Sequence, residues 1–296
     1  MRWHRKWLRR LVPPEALNKL NCLSHLEDRL YELEARSARL ARIALAPEFG
    51  SLFADLPPAE FQIFSQNGED GVLLHLLKQT GAPVKRFLEI GIENARECNT
   101  AVLAFVLGWD GVMVEADPLG AAAASKLAAC VLKGKANRVD VRCLKATPGN
   151  VNDLIEGPEL GVLSIDVDGM DYWLWQAYTQ TRPRLAVIEY NASFGPERAV
   201  TVPYSDDFSA AKIHPSGYYH GASLAALEKL GRGKGYSLVA TDAAGVNAFF
   251  VAEEARPSSL IPLSAAQAYR PHRLRCLHHT PDEQWRLISH LPLEQV

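Results

Sequence analysis

The chain lacks the cysteine pattern of a protein built on disulfides or zinc. Its 296 residues include five cysteines, an odd number with no Cys-x-x-Cys pair: Cys22, Cys98, Cys130, Cys143 and Cys276. Such scattered spacing argues against a disulfide framework and a structural zinc site, and it is typical of a reducing compartment. We therefore predict a cytoplasmic protein.

Long apolar runs are also missing. No segment approaches the roughly 18 to 20 apolar residues that a helix needs to cross a bilayer. The basic N-terminus has no apolar signal-peptide core. Residues 1–12 do interleave Trp and Leu with Arg and Lys, a pattern that suits peripheral contact with an anionic surface at the inner membrane face. A frayed terminus is the alternative interpretation.

Neither sign of charge is in excess, with 32 Lys and Arg against 34 Asp and Glu. The residues after 45 are mildly acidic, which does not suggest a nucleic-acid platform. The composition is 48% hydrophobic and 22% charged, as in ordinary globular proteins. This length suits one large α/β domain with an appendage.

Residues 15–45 contain neither Gly nor Pro and predict a long helix. Its apolar seam steps by alternating threes and fours through Leu23, Leu26, Leu30, Leu33, Ser37, Leu40 and Ala44. This a/d spacing predicts a homo-oligomer through a coiled coil, and a helix packed on its own domain is the alternative. We place a helical extension at 1–48, the main domain at 49–255, and a tail that docks on it at 256–296.

From residue 84 the pattern changes to strands alternating with helices. Strands are predicted at 86–90, 111–115, 139–144, 161–166, 184–190, 236–240 and 247–252. A helix is expected between Pro118 and Gly134, and another from the cap Ser223 to the stop Gly231. Only a short turn separates the last two strands, so they are antiparallel. The pattern predicts an α/β fold: a mostly parallel, Rossmann-like class I methyltransferase sheet closed by an antiparallel C-terminal hairpin.

The loop after the first strand is poor in glycine. Gly91 directly follows that strand and allows a tight turn, but Glu93 and Ala95 stand where a dinucleotide-binding loop has further glycines. An acidic loop disfavours NAD and favours the sulfonium cation of S-adenosylmethionine. Glu115 ends the second strand, placed to accept hydrogen bonds from both ribose hydroxyls.

Several segments resemble FkbM-type and related class I S-adenosylmethionine-dependent methyltransferases. They fall in order within residues 60–253 and read FSQNGEDGVL, FLEIGIENARECNTAVL, GWDGVMVEADP, LSIDVDGMDYW, AVIEYN and GASLAALEKLGRGKGYSLVATDAAGVNAFFV. The resemblance implies S-adenosylmethionine as cofactor and usually O-methylation, often of sugars or glycan-linked metabolites. Members of this family differ widely in the molecule that they methylate, so the resemblance does not identify the acceptor of this protein.

The resemblance also implies roles for single residues in cofactor binding. The residues around the methionine moiety are Glu89, Gly91, Asn94 and Asn99, with Glu115 at the ribose. Gln66 and Glu69 close the pocket from the preceding segment. The alternative for that segment is purely structural, with Asn67 capping the helix that follows.

Carboxylates follow the fourth and fifth strands. Asp166 ends strand four beside the cofactor, Asp168 and Asp171 follow within one turn, and Glu189 and Asn191 end strand five. Because neighbouring parallel strands lie about 4.8 Å apart, these side chains are expected to converge. One hypothesis is a Mg²⁺ or Mn²⁺ site at Asp166, Glu189 and Asn191, similar to that of catechol-type O-methyltransferases.

Two metal-free interpretations stay open for the same residues. In the first, Asp166 or Glu189 is the base and Asp168 or Asn191 holds the acceptor. In the second, Asp168 and Asp171 only cap the next helix. His214 and His220 lie in a loop where a general base for a hydroxyl would stand, and residues 202–208 are expected to shape the acceptor side.

The function predicted from these features is S-adenosylmethionine-dependent O-methylation of a small hydroxylated acceptor, a sugar or glycan-linked metabolite. Two alternatives are kept. One is an NAD-dependent oxidoreductase, and the other is a non-catalytic oligomeric binding module that retains the fold.

Overall fold

The computed structural model describes residues 60–296 and seven residues of the preceding segment. These seven are helical: Leu26, Leu30, Tyr31, Leu33, Glu34, Arg36 and Ser37. The predicted membrane-contact segment 1–12 and most of the predicted helix over 15–45 lie outside the described residues. Within the described part, no helix has the length and apolar character to span a bilayer.

Seven strands form the main sheet, and two short strands form a second one. The strands are β1 (Arg86–Ile90), β2 (Asp110–Glu115), β3 (Val139–Cys143), β4 (Val162–Ile165), β5 (Leu185–Glu189), β6 (Val200–Thr201), β7 (Tyr236–Thr241), β8 (Asn247–Ala252) and β9 (Glu294–Gln295). The predicted strands of the main sheet are all present, with ends that agree within one residue. The sequence pattern did not predict β6 and β9, which are two residues long.

The strand order defines the fold. The main sheet runs β3-β2-β1-β4-β5-β8-β7. The strands β1 to β5 pair in parallel, while β8 pairs antiparallel with both β5 and β7. This is the Rossmann-like class I methyltransferase sheet, and the predicted fold class is confirmed.

Eight α-helices are described besides the N-terminal residues. They are α1 (Glu69–Thr80), α2 (Ala101–Phe105), α3 (Pro118–Val131), α4 (Asp171–Ala177), α5 (Ala210–Ile213), α6 (Leu224–Gly233), α7 (Ala265–Ala268) and α8 (Pro281–Ile288). Local sequence explains several starts. Ser223 accepts a hydrogen bond from the Ala226 amide, and Thr280 forms a capping box at α8.

Two local predictions about helix ends are wrong. Helix α6 continues past Gly231, where a Cβ would lie 2.9 Å from the Trp175 ring and 3.0 Å from the Phe250 ring. Glycine at that position therefore allows close packing rather than ending the helix. Asn67 does not cap α1: the N-cap is Gly68, with no side-chain cap bond.

Apolar layers cover both faces of the sheet. Along β1, Phe87 packs into the layer that includes α1, α2 and α3, while Leu88 and Ile90 pack into the layer that includes α4 and α6. Full burial of such a side chain contributes about 1.5–3 kcal/mol. This double cover leaves the carboxyl ends of the strands as the place where polar side chains gather.

The order also locates a ligand crevice. The chain winds outward from β1 through β2 and β3, and it then resumes on the other side of β1 with β4 and β5. Open α/β sheets bind ligands beyond the strand ends at this reversal. In this protein the reversal lies between β1 and β4. Gly91 directly follows β1, and Asp166 directly follows β4.

Candidate active site

A cavity of about 500 Å³ opens at the carboxyl ends of β1, β2, β4 and β5. Its lining comes mainly from the loops that follow these strands and β3, with further residues from the segment before α1, the segment after β6, the turn before β8 and the C-terminal segment. The lining residues are Gln66, Ile90, Gly91, Glu93, Glu97, Val114, Glu115, Ala116, Leu144, Lys145, Ala146, Asp166, Val167, Asp168, Met170, Glu189, Ser205, Asp206, Phe208, Val246, His272 and Arg275.

Gly91 sets the floor of the cavity. Its φ is 87°, and a Cβ there would lie 1.6 Å from the carbonyl oxygen of Asp166. Its amide donates to the Val114 carbonyl at 2.9 Å. No side chain fits this position, so glycine is what lets the ends of β1 and β4 approach. The loop then turns through Glu93 and Ala95, both with positive φ.

The Glu115 carboxylate is held by backbone donors. One oxygen accepts from the Glu93 amide and the other from the Asp117 amide, each at 2.7 Å. A carboxylate oxygen accepts two hydrogen bonds. Each oxygen of Glu115 therefore keeps capacity for one further donor, such as one of two neighbouring hydroxyls.

Three carboxylates converge beside this floor. One oxygen from each of Asp166, Asp168 and Glu189 lies within 4.8 Å of the others. Burial raises the pKa of Asp166 well above its usual range, and the nearby carboxylates of Asp171 and Asp168 raise it further. Burial, together with the carboxylates of Asp166, Asp171 and Asp168, raises the pKa of Glu189, against the opposing charge of Arg275.

Glu189 also has an unsatisfied atom. Its Oε2 is buried without a hydrogen-bond partner among the described residues. A buried carboxylate in this state needs a proton or a cation, since an unpaired buried charge is costly. The cluster can therefore hold either protons or a positive ion.

Asp171 lies behind this cluster and has a structural role. Its carboxylate accepts from the Val167 amide at 2.8 Å and from the Gly169 amide at 3.0 Å. It thus closes the loop before α4, whose own N-cap, Met170, makes no side-chain cap bond. Burial raises the pKa of Asp171 to about 7.

Asn191 does not face the cavity as the metal hypothesis requires. Its Nδ2 donates to the carbonyls of Tyr218 and His220, each at 2.7 Å. Its Oδ1 accepts from the Ser193 amide and from Arg275, each at 2.9 Å. These bonds occupy the amide, because the turn after β5 uses Asn191 as its cap.

The Nε2 of His220 is bonded to Arg275. A guanidinium nitrogen of Arg275 lies 2.7 Å from its Nε2, and because a guanidinium only donates, Nε2 is the acceptor and Nδ1 carries the proton. Burial and the charge of Arg275 lower its pKa. The Nδ1 is buried without a hydrogen-bond partner among the described residues and lies 3.9 Å from the Oε1 of Glu189; since it already carries the proton, His220 is not placed to act as a base. The other candidate, His214, bonds to Ser216 and is not part of the cavity wall.

Arg275 is the site residue that the sequence did not single out. It comes from the C-terminal segment, yet its guanidinium reaches Asn191, the hydroxyl of Ser193 at 3.2 Å, and His220. It places a positive charge beside Glu189. The predicted tail is rich in His and Arg, but nothing in its pattern distinguishes Arg275 from its neighbours.

Four residues that the resemblance assigned to the cofactor make structural bonds outside the cavity wall. Glu89 accepts from the Asn99 amide at 2.7 Å and the Thr100 amide at 2.9 Å, which ties β1 to the start of α2. Glu69 accepts from the Asn67 amide at 2.7 Å. Asn94 accepts from the Arg96 amide at 3.0 Å.

The other predicted cofactor residues do line the cavity: Gln66, Gly91, Glu115 and Asp166. The predicted acceptor segment 202–208 contributes Ser205, Asp206 and Phe208. Charge around the cavity is mostly negative. Seven carboxylates line it (Glu93, Glu97, Glu115, Asp166, Asp168, Glu189 and Asp206), against the cations Lys145 and Arg275.

No protein-family model matches the chain, and no curated protein matches it. Solved structures show low similarity. An O-methyltransferase from Bacillus cereus in complex with SAH is 16% identical over 73% of this chain and 89% of that chain, with a TM-score of 0.42. The SAH-bound magnesium protoporphyrin IX methyltransferase from Synechocystis PCC 6803 is 13% identical over 62% and 81%, with a TM-score of 0.41.

A SAH-bound methyltransferase from Podospora anserina is 14% identical over 71% of this chain and 87% of that chain, with a TM-score of 0.38. All three scores are below 0.5. The fold is therefore defined by the strand order of this chain and not by these similarities.

Proposed function

We propose that this protein is an S-adenosylmethionine-dependent O-methyltransferase. The observation that carries the proposal is the acidic cavity at the topological switch point. Its carboxylates suit a ligand with a sulfonium and an ammonium group, and they would repel the pyrophosphate of NAD. The carboxylate of Glu115, fixed by two backbone amides, is placed for a ribose.

The acceptor that this cavity fits is a small hydroxylated molecule, and we propose a sugar or glycan-linked metabolite as in the FkbM-type enzymes. Beyond the carboxylate cluster the wall combines the polar Ser205 and Asp206 with the aromatic Phe208. Such a mixture of hydrogen-bonding groups and one apolar face is typical of small-molecule sites.

The residues Asp166, Asp168 and Glu189 fit a hard divalent cation. They offer three oxygen ligands, as Mg²⁺ and Mn²⁺ prefer, and the unpartnered Oε2 of Glu189 is the atom that most needs a positive neighbour. When bound there, the ion would lower the pKa of an acceptor hydroxyl. Without it, Asp166 and Glu189 are the carboxylates placed to take the hydroxyl proton.

Calorimetric titration tests the cofactor class directly. We expect S-adenosylhomocysteine to bind the purified chain and NAD to give no heat of binding. Binding of NAD alone would support the oxidoreductase. No binding of either ligand would support a binding module that has lost the cofactor site.

Chelation tests the metal. Methyl transfer from labelled S-adenosylmethionine to a panel of sugars is measured after exhaustive chelation and again after adding Mg²⁺ or Mn²⁺. We expect activity to fall at least about tenfold in chelator and to return with the ion. Glu189→Gln should lose the response, and Glu159→Gln, an exposed carboxylate outside the cavity wall and the acceptor segment, should keep it. Full activity in chelator would remove the metal from the mechanism.

A further inference from the structure

The described helical residues before the main domain fall into two groups by exposure. Leu26, Leu30 and Leu33 are 57%, 46% and 56% exposed, although they belong to the apolar a/d seam. Tyr31, between them in the sequence, is only 1% exposed. The helix therefore buries one side against the protein and leaves the described leucines of its seam open.

The buried side is fixed to the main domain by charged groups. The Tyr31 ring lies 4.7 Å from the Arg96 guanidinium and 4.5 Å from the Lys126 ammonium, measured to the ring centre. Glu34 accepts a hydrogen bond from Arg96 at 2.5 Å. Arg96 belongs to the loop after β1, whose Glu97 lines the cavity.

Helix geometry explains how both surfaces exist together. At 100° per residue, Tyr31 and Glu34 lie at heptad positions b and e when Leu30 is at a and Leu33 at d. The centre of the docked side is then about 100° round the helix from the centre of the leucine seam. Docking on the main domain thus turns the seam sideways, at about a right angle to the docked side, and leaves its described leucines exposed.

We propose that the seam binds the same seam of a second copy of this chain, in parallel and in register. The heptads run from Leu23 to Ala44, slightly more than the three that indicate a coiled coil. The charges that flank the seam favour a second copy of this chain as the binding partner. Glu27 and Glu34 are at heptad position e, and Arg29 and Arg36 are at heptad position g.

The same charges set the orientation. In a parallel pair, Arg29 of one copy faces Glu34 of the other, which is attractive. In an antiparallel pair, e faces e and g faces g, so that like charges meet. Within the chain Glu34 also accepts from Arg96, and its side chain keeps 19% exposure. The dimer does not depend on the proposed catalytic function.

Light scattering on the full chain tests the interface. We expect a dimer for the wild type and a monomer for Leu30→Glu with Leu33→Glu. The matched control is Leu119→Glu on α3, since Leu119 is 81% exposed and lies outside the seam. We expect this control variant to remain dimeric. A wild-type monomer, or a double variant that stays dimeric, would overturn the proposal. Circular dichroism and thermal melting confirm that each variant is folded.

Cross-linking tests the orientation. With Cys22, Cys130, Cys143 and Cys276 replaced by Ser, a Leu30→Cys variant should form a covalent dimer on mild oxidation, since equal a positions meet only in a parallel, in-register pair. A Glu60→Cys variant outside the seam serves as the control and should remain uncross-linked. Failure of the Leu30→Cys dimer to form while light scattering still shows a dimer would overturn the parallel arrangement.

Discussion

At the scale of single residues, Glu115 combines two roles that sequence spacing alone does not separate. It ends β2 at the cavity, and it also holds the amides of Glu93 and Asp117. A substitution therefore affects both the ligand and the loop that contains Glu93. The amide variant Glu115→Gln keeps one acceptor oxygen, and with it one of the two backbone bonds, so it perturbs the loop less than alanine does.

We expect Glu115→Ala to weaken S-adenosylhomocysteine binding by about 1–3 kcal/mol, since two hydrogen bonds to a charged acceptor are lost. Glu115→Gln should lose less. Calorimetry measures both, with Glu197→Ala, an exposed carboxylate outside the cavity wall, as the control. Affinity equal to wild type in the alanine variant would remove Glu115 from the cofactor site.

At the scale of secondary-structure elements, the C-terminal segment completes the site. A short 3₁₀ turn (Arg275–Leu277) carries Arg275 to the ends of β4 and β5, and β9 pairs with β6 beside it. The guanidinium joins Asn191, Ser193 and His220 into one network and offsets the charge of Glu189. An element remote in sequence thus completes the cavity wall beside Glu189.

Removing this contact should destabilise the fold. We expect Arg275→Met to lower the free energy of unfolding by about 1–3 kcal/mol, because the Nε2 of the buried His220 loses its donor. Arg273→Met, an exposed arginine two residues earlier, should change little. Chemical denaturation at neutral pH measures both.

A second variant identifies the electrostatic part of that loss. Adding Glu189→Gln to Arg275→Met should recover some stability, because the carboxylate that needs the arginine is gone. If the double variant is as unstable as the sum of the two single variants, the two side chains do not interact.

At the scale of the whole molecule, buried carboxyl groups make stability depend on pH. Burial raises the pKa of Asp242 from 3.8 to about 7. The folded state then binds the proton more tightly than the unfolded chain, so this group stabilises the fold most below pH 3.8. That contribution is lost as the pH rises to about 7.

We expect Asp242→Asn to remove this dependence. Between pH 5 and 7 the free energy of unfolding of the wild type should fall relative to the variant by up to about 1.4 kcal/mol per pH unit, with no further change above about pH 8. Urea denaturation at a series of pH values measures it, and Asp207→Asn is the exposed control. A constant difference across the range would contradict the raised pKa.

The sequence by itself determined the sheet and the place of the cavity. Apolar runs of four to six residues can be buried on both faces only in a covered sheet. Gly91, Glu115 and Asp166 stand at the carboxyl ends of parallel strands, and these ends must meet at one edge. These features are local, so their periodicity and spacing are visible in one chain.

Only the tertiary structure decided which polar side chains serve the cavity. Glu89 lies near the end of β1 and Asn191 just after β5, yet their bonds go to the start of α2 and to the turn after β5. Arg275 arrives from a segment 84 residues after Asn191. Hydrogen bonds between distant segments leave no periodic trace in the sequence, because they depend on where the folded backbone places each donor and acceptor.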